Sequence, residues 1–295
     1  MNQNIVWAQK WGYIAYSMQN IMIFEELNAE KTQQIKEEFS DPISGIRYSK
    51  DEGFIMAFTR VGTINGYPSV IVWNTKTKRK ESVFAVEDTE IINAEFSKNS
   101  NMILVASWNG DSKNPLSTVS VWDFMNGRKE VFCKSVIPWK INEICWNGYE
   151  TADSSEFCTL SDQVYHYWQI RDYDLALKYM QGRMPKDYFV GENANAKLTS
   201  LCYVEPYEEQ NSVYALMGLD NGHVWVVDTR GNYFLYHAKV LDGPINKITS
   251  SLDRIVIEGK DDSHVHSWEL RKTIADYKYD ASDPNYFFAG EEKSV

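Results

Sequence analysis

Two histidines near the end of the chain have the spacing of possible metal ligands. His264 and His266 lie two residues apart, so both side chains would point to the same face of a strand, and Asp261 and Asp262 come just before them. A protein zinc site needs three or four ligands that converge on one point. Polar residues in a turn and on the strand after it also satisfy backbone donors, and we favour this interpretation. We therefore predict no metal site.

The sequence carries no recognisable catalytic motif. A nucleophilic Ser or Cys needs a His and an orienting acid, yet no G-x-S-x-G motif occurs, and sequence alone assigns no partner to His166, His223 or His237. The phosphate-binding pattern G-x-x-x-x-G-K-S/T is also missing. The prediction is a protein that is not an enzyme, with no cofactor and no small-molecule substrate.

Composition excludes further classes of protein. The 295 residues are 14% aromatic, which a disordered chain is not, and the net charge of −11 argues against nucleic acid or an anionic membrane as partner. No apolar run approaches the roughly 20 residues of a membrane helix, and the first residues lack the features of a secretory signal. With no CxxC pair, we expect four reduced thiols in a cytoplasmic protein, namely Cys133, Cys145, Cys158 and Cys202.

A short phrase recurs along the chain, in which alternating apolar residues are followed by an aromatic and then by a polar or acidic residue. Its copies are Val70–Asn74, Val119–Asp123, Tyr165–Gln169 and Val265–Glu269, with weaker ones at Ile21–Glu25 and Val224–Asp228. The fourth residue of the phrase returns at intervals of 49, 49, 46, 59 and 41 residues. Such regular intervals indicate a repeat protein.

Segments on either side of each phrase also have the pattern of strands. First strands are expected upstream, at Ile43–Tyr48, Ile91–Phe96, Ile141–Trp146, Leu198–Tyr203 and Ile245–Thr249. A second strand lies between the first strand and the phrase, and a fourth strand follows the phrase; Thr32–Lys36 is one such fourth strand. Four strands in roughly 40–50 residues predict an all-β chain built as a β-propeller.

Six propeller blades are predicted within a single domain over residues 1–295. Their approximate limits are 4–38, 43–86, 91–133, 141–180, 198–238 and 245–279. The last residues allow a strand at Ile274–Tyr279 and another at Asn285–Ala289. A seventh blade, completed by the termini or by missing chain, therefore stays open at this point.

The Trp122-Asp123 pair that ends a third strand is the mark of WD40 repeats, and the chain resembles the WD40-repeat family over nearly its whole length. The other copies of the pair are degenerate, and the Gly-His pair that often opens a WD40 repeat is absent from the expected openings. The resemblance implies a WD40-type β-propeller.

Two stretches carry a narrower resemblance, Ser107–Asp111 and Asn142–Asn147. With the long loops between second and third strands, they look like ciliary and flagellar WD-repeat proteins and the echinoderm microtubule-associated-protein-like group. This resemblance implies a non-enzymatic scaffold of the ciliary axoneme or microtubule cytoskeleton. Tubulin or axonemal complex subunits would then be its partners.

Three segments support an alternative function. Trp168–Arg171, Val227–Arg230 and Trp268–Arg271 each resemble the W-D-x-R signature of substrate receptors for cullin-type ubiquitin ligases, although each departs from it at one position.

Candidate partner-binding residues lie in the turns after the third strands and in the long loops. A WD40-type blade places the turn after its third strand near the outer edge of one face, and there the sequence has Lys76, Lys78, Arg79, Lys80, Arg128 and Lys129. These cations would suit an acidic partner, or they would merely keep exposed hairpins soluble. Tyr67 and Trp108 belong to long loops on the opposite face and are candidate aromatic anchors.

Four tryptophans are predicted to be structural, because each stands at the end of a third strand, where an aromatic packs between neighbouring blades. They are Trp73, Trp122, Trp168 and Trp268.

Overall fold

The computed structural model describes residues 4–27, 34–39, 41–61, 66–111, 113–125, 130–147, 155–170, 177–181, 188, 191–204, 213–229, 232–251, 254–260, 265–269 and 293–294. Over these residues the chain forms 24 strands in six four-stranded sheets, and in each sheet the strands lie side by side in chain order. We call these sheets blades 1 to 6. Short 3-10 turns at Gln9–Trp11 and Gly191–Asn193 are the helical segments of the described chain.

The chain divides into two compact units. The first unit contains residues 1–141 and 170–177, and the second contains residues 142–169 and 178–295. Blades 1 to 3 lie in the first unit. Their strands are β1 (Ile5–Ala8), β2 (Tyr13–Met18), β3 (Ile21–Glu26), β4 (Gln34–Glu38), β5 (Ile43–Tyr48), β6 (Phe54–Thr59), β7 (Ser69–Asn74), β8 (Lys80–Ala85), β9 (Glu90–Phe96), β10 (Met102–Trp108), β11 (Ser117–Asp123) and β12 (Glu130–Ile137).

Most of blade 4, with blades 5 and 6, lies in the second unit. The strands of these blades are β13 (Glu143–Trp146), β14 (Ser155–Leu160), β15 (Tyr165–Ile170), β16 (Leu177–Gln181), β17 (Leu198–Tyr203), β18 (Tyr214–Leu219), β19 (His223–Asp228), β20 (Tyr233–Lys239), β21 (Ile245–Ser251), β22 (Arg254–Gly259), β23 (Val265–Glu269) and β24 (Lys293–Ser294).

The strands that were expected within the described residues are present, with small shifts at their ends. Two first strands, β5 and β17, have the predicted limits, and the fourth strand of blade 1 runs two residues later than expected. The expected strands at Ile274–Tyr279 and Asn285–Ala289 lie outside the described residues. Within the described chain, β24 pairs with β23 and completes blade 6.

Several of the inner strands are buried on both faces. In β7 and β11, the side chains on both faces of the strand are largely buried. A sheet that is apolar on both faces must be covered on both sides, and within each unit a neighbouring blade provides that cover.

Blades 1 and 2 share one apolar core. The indole of Trp73 is fully buried in it and lies edge-on to the ring of Phe24, with the ring centroids 5.8 Å apart. Phe39 contacts the same indole, with its ring centroid also 5.8 Å away. Aromatic pairs of this kind contribute about 0.5–1.5 kcal/mol beyond the area that they bury.

The cores between the later blades follow the same plan. Trp122 stacks on Phe84 between blades 2 and 3, with the ring centroids 4.3 Å apart. Trp225 fills the core between blades 4 and 5, and Trp268 fills the core between blades 5 and 6. The four predicted structural tryptophans are all buried, none more than 8% exposed.

The first copy of the recurring phrase corrects the predicted repeat phase. Trp73 and Trp122 face the preceding blade, but Phe24 faces the following one. A shift of one residue moves every side chain of a strand to the other face. Glu25, not Phe24, therefore occupies the position that corresponds to Trp73, and there it accepts a hydrogen bond of 2.9 Å from the Tyr16 hydroxyl.

Polar bonds join neighbouring blades near their first strands. In the first unit, the Arg47 guanidinium donates to the Asn93 side-chain oxygen (2.6 Å), and the Ser100 hydroxyl donates to Asp51 (2.7 Å). In the second unit, the Ile248 backbone N–H donates to the Ser200 hydroxyl at 2.8 Å. These bonds fix the register between sheets whose apolar contacts have little directionality.

We predict that alanine at Gly222 destabilises the protein far more than alanine at Gly66. Both glycines have positive φ, 84° and 86°, so each substitution pays about 1–2 kcal/mol for the left-handed backbone. A Cβ on Gly222 would also lie 1.9 Å from the Leu241 carbonyl oxygen, whereas a Cβ on Gly66 would meet nothing within 4 Å. Urea unfolding should give a loss of more than about 3 kcal/mol for Gly222→Ala. Equal losses in the two variants would contradict this packing.

Candidate functional site

The turn between β7 and β8 presents three exposed cations. The Asn74 side chain accepts the Thr77 backbone N–H at 3.0 Å, and its carbonyl accepts the Lys78 N–H at 2.8 Å, so the turn is internally bonded. Lys76, Arg79 and Lys80 are all exposed around it. Lys76 and Arg79 form no ion pair with the described residues. We call these three residues the basic turn.

Lys78 differs from the expectation that it would be a free surface cation. Its backbone has φ of 55°, and its side chain is only 14% exposed. The ammonium forms an ion pair with Glu26 of blade 1 and lies 5.1 Å from the centre of the Tyr13 ring. The Tyr13 hydroxyl in turn donates to the Thr75 carbonyl at 3.0 Å. Lys78 therefore anchors the turn to blade 1, and its positive charge is paired within the protein with the Glu26 carboxylate.

The other predicted cations lie outside the described residues. These are Arg128 and Lys129, together with the arginines of the ligase-like signatures at positions 171, 230 and 271. The metal-site candidates Asp261, Asp262 and His264 also lie outside the described residues. Of the residues considered for a metal site, His266 lies within the described part of the chain. Its ring stacks on that of Trp268, and the ring centroids are 5.9 Å apart. Among the residues that the structure describes, no group of three or more His, Cys, Asp or Glu is placed to hold a metal ion.

Acidic residues near the basic turn serve internal bonds. Burial would raise the pKa of Asp51, but hydrogen bonds from the Ser49 and Ser100 hydroxyls and the Gly53 N–H outweigh that effect and lower its pKa. The Glu52 carboxylate accepts the Lys10 backbone N–H at 2.9 Å and the Tyr48 hydroxyl at 3.0 Å. Both carboxylates are thus committed to structure.

The predicted aromatic anchors have different surroundings. Tyr67 is 43% exposed. Trp108 is half-buried at the end of β10, where the Lys140 ammonium lies 4.3 Å from the centre of its ring and the Thr89 hydroxyl donates to its carbonyl at 2.9 Å. A lysine at this distance is a cation–π contact. Tyr67 is therefore the freer of the two side chains.

Burial suppresses the ionisation of the thiols and of several histidines. It raises the pKa of Cys133, Cys158 and Cys202 to about 12, so these thiols carry little thiolate at neutral pH. Burial also lowers the pKa of His166 to about 4. The described cysteines are free thiols.

A groove between blades 2 and 3 was not anticipated from the sequence. A cavity of about 250 Å³ opens there, lined by Ala85, Val86, Glu87, Asp88, Thr118, Ser120, Trp122, Val131 and Lys134. These residues are scattered over positions 85–134, and no spacing rule joins them. Their meeting depends on the packing of one blade on the next. We call this cavity the blade 2–3 groove.

Six four-stranded sheets of this build, with a buried aromatic near the end of most third strands, define an all-β protein of the β-propeller class. No described helix is both long and apolar enough to cross a membrane.

Comparisons with known proteins agree with this class. No protein-family model matches the chain. The chain is 22% identical to human WD repeat-containing protein 90 over 269 residues, which are 90% of this chain and 14% of that protein. The chain thus spans about one seventh of the length of this curated relative.

Solved structures show the same fold. The β-propeller domain of Cps50 (Swd1) from Myceliophteria thermophila superposes with a TM-score of 0.60 at 15% identity, covering 84% of this chain and 69% of that one. The computationally designed Ika8 protein superposes with a TM-score of 0.63 at 11% identity, covering 90% and 70% of the two chains. At these identities the likeness concerns the fold.

We predict that Lys78→Ala destabilises the protein and that Lys76→Ala does not. Loss of the Glu26 ion pair and of the contact with Tyr13 should cost about 1–2 kcal/mol. Lys76 is exposed, and its removal should change the free energy of unfolding by less than about 0.5 kcal/mol. Urea unfolding measures the free energy of unfolding of both variants. Equal values would mean that the contacts of Lys78 with Glu26 and Tyr13 do not stabilise the fold.

A second prediction concerns the pH dependence of stability. His166 has an ordinary pKa near 6.5 when unfolded and about 4 when folded. Between these values the unfolded chain binds a proton that the folded chain excludes, so the free energy of unfolding falls as the pH drops from 6.5 to 4, by about 3 kcal/mol for this residue. Comparing unfolding at pH 7 and pH 4.5 should show a smaller fall for His166→Gln than for the unchanged protein. Identical falls would contradict the assignment, because other titrating groups are common to both.

Proposed function

We propose that this chain is a non-enzymatic protein-interaction scaffold of the microtubule cytoskeleton, and of the ciliary or flagellar axoneme in particular. Its WD40-type fold supports the scaffold role, since propellers of this class typically serve as platforms for other proteins. The observation that carries the microtubule proposal is the basic turn. Lys76, Arg79 and Lys80 stand together and exposed in a chain whose net charge is −11.

Charge screening allows an acidic partner to contact this chain through such a local cluster of cations. A net charge of −11 repels an acidic partner at long range, but charges more than about 8 Å apart are largely screened at physiological salt. The nearest charges therefore decide the contact. Because Asp51 and Glu52 are held by hydroxyls and N–H groups, they compete less for the cations of the basic turn.

The partner that fits is an acidic protein surface. Tubulin, or a subunit of an axonemal complex, is the partner we propose, with a cytoplasmic location at the cilium or cytoskeleton. Binding of this kind weakens steeply as salt rises, because the attraction comes from exposed charges.

Sedimentation with taxol-stabilised microtubules tests the proposal. Lys76→Glu with Arg79→Glu should strongly reduce the amount of chain in the pellet at low salt. Lys78 is left unchanged, because its loss would disturb the fold as well as the surface. The matched control is Lys113→Glu with Lys247→Glu, which makes the same change in net charge at two exposed positions on other blades.

The two pairs of substitutions must behave differently for the proposal to hold. Equal losses would indicate a general charge effect, and no loss in either would remove the basic turn from the interface. Trp108→Ala should leave sedimentation intact. If Trp108 proves essential while the charge reversal is silent, the long loops bind the partner instead.

A further inference from the structure

The blade 2–3 groove has two walls that differ in character. One wall is the connection from β8 to β9, which supplies Glu87 and Asp88. The other is the face of blade 3 that looks toward blade 2, where Thr118 and Ser120 of β11 pair with β10 and β12. Since β8 ends at Ala85, the outer part of this face stays uncovered, and Val136 of β12 is 53% exposed there.

The base of the groove is preorganised. The Trp122 indole N–H donates to the Ser120 hydroxyl oxygen at 2.9 Å, and Phe84 stacks on the indole with the planes 16° apart. Ser120 is 97% buried, as only 3% of its surface is exposed. An aromatic ring and a buried hydroxyl are thus held in place before any ligand arrives, which lowers the entropic cost of binding.

The charges of the groove are unequal. Glu87 and Asp88 contribute two carboxylates, and Lys134 contributes one ammonium. Asp88 accepts the Ser107 hydroxyl, which orients it, while neither Glu87 nor Lys134 forms an ion pair with the described residues. The groove therefore carries a net formal charge of −1 within a chain whose net charge is −11. The electrostatic potential of the groove thus favours a cationic ligand.

We propose that the blade 2–3 groove receives an arginine side chain from a partner protein. A planar guanidinium combines a positive charge for Glu87 and Asp88 with a rigid fork of donors that reaches carboxylate and hydroxyl oxygens together. An ammonium lacks this planar fork, an aliphatic side chain would leave the carboxylates and hydroxyls unpaired, and an acidic side chain would meet two like charges. The cavity of about 250 Å³ has room for one side chain and not for a folded segment.

This site does not rest on the microtubule proposal. The groove lies at the end of β8 and the basic turn lies at its beginning, so opposite ends of the same blade carry the two surfaces. Their charge preferences are also opposite. Loss of either binding activity leaves the other testable.

Titration with N-acetyl-arginine methylamide, followed by NMR at the assigned Trp122 indole N–H resonance of the 295-residue chain, tests the site. The arginine probe should give a saturable shift. The citrulline analogue, which has the same shape and no charge, and N-acetyl-glutamate methylamide should give none at the same concentrations. Saturation by either of these two, or the absence of a saturable shift with arginine, would overturn the proposal.

Three single substitutions at exposed residues test whether each charge strengthens or weakens binding of the arginine probe. Glu87→Gln should weaken binding of the arginine probe about two- to fivefold, and Lys134→Gln should strengthen it by a similar factor, as expected for partly solvated charge pairs. Glu81→Gln is the matched control, since it removes an exposed carboxylate from β8 away from the groove and should leave the affinity unchanged. An unchanged affinity in Glu87→Gln, or weaker binding in Lys134→Gln, would overturn the assignment.

Discussion

Burial of apolar sheet faces against the neighbouring blades is the constraint on which the rest of this structure depends. A four-stranded sheet with apolar side chains on both faces has no stable existence in water alone. Ile71 and Trp73 of β7 face blade 1, while Val70 and Val72 of the same strand face blade 3. The surfaces described above lie where this packing ends. The basic turn follows the end of a strand, the long loop after Trp108 lies at the opposite end of its blade, and the groove lies between two neighbouring blades.

The strands were the most predictable part because they follow from local patterns. Alternation of apolar residues, recurring at a steady interval, placed β5 and β17 at their observed limits. The phase of blade 1 was harder, because Ile23 and Phe24 are both apolar and both buried, so pattern alone did not show which faces blade 2. Only the neighbouring blade, through the contact of Phe24 with Trp73, decides the face.

The surfaces were less predictable because they depend on residues distant in sequence. Lys78 has the same type and turn context as Lys76, yet it has a positive φ and its partner Glu26 lies 52 residues away. Trp108 lies against Lys140, a residue of the connection that follows the last strand of its blade. The groove is harder still, since its lining residues come from two blades and meet only when one blade packs on the next. Residue type predicts the charge at such positions, and packing decides whether that charge is available.

The spacing of the inter-blade polar bonds has a consequence for how the protein is made. Arg47 and Asn93 are 46 residues apart, Asp51 and Ser100 are 49 apart, and Ser200 and Ile248 are 48 apart. Each bond therefore needs a single further repeat of chain, and none of these three waits for a distant terminus. On a ribosome that adds about 5–20 residues each second, a newly emerged blade of the first or the second unit finds its docking partner within seconds. The interval during which an uncovered apolar sheet is open to aggregation is correspondingly short.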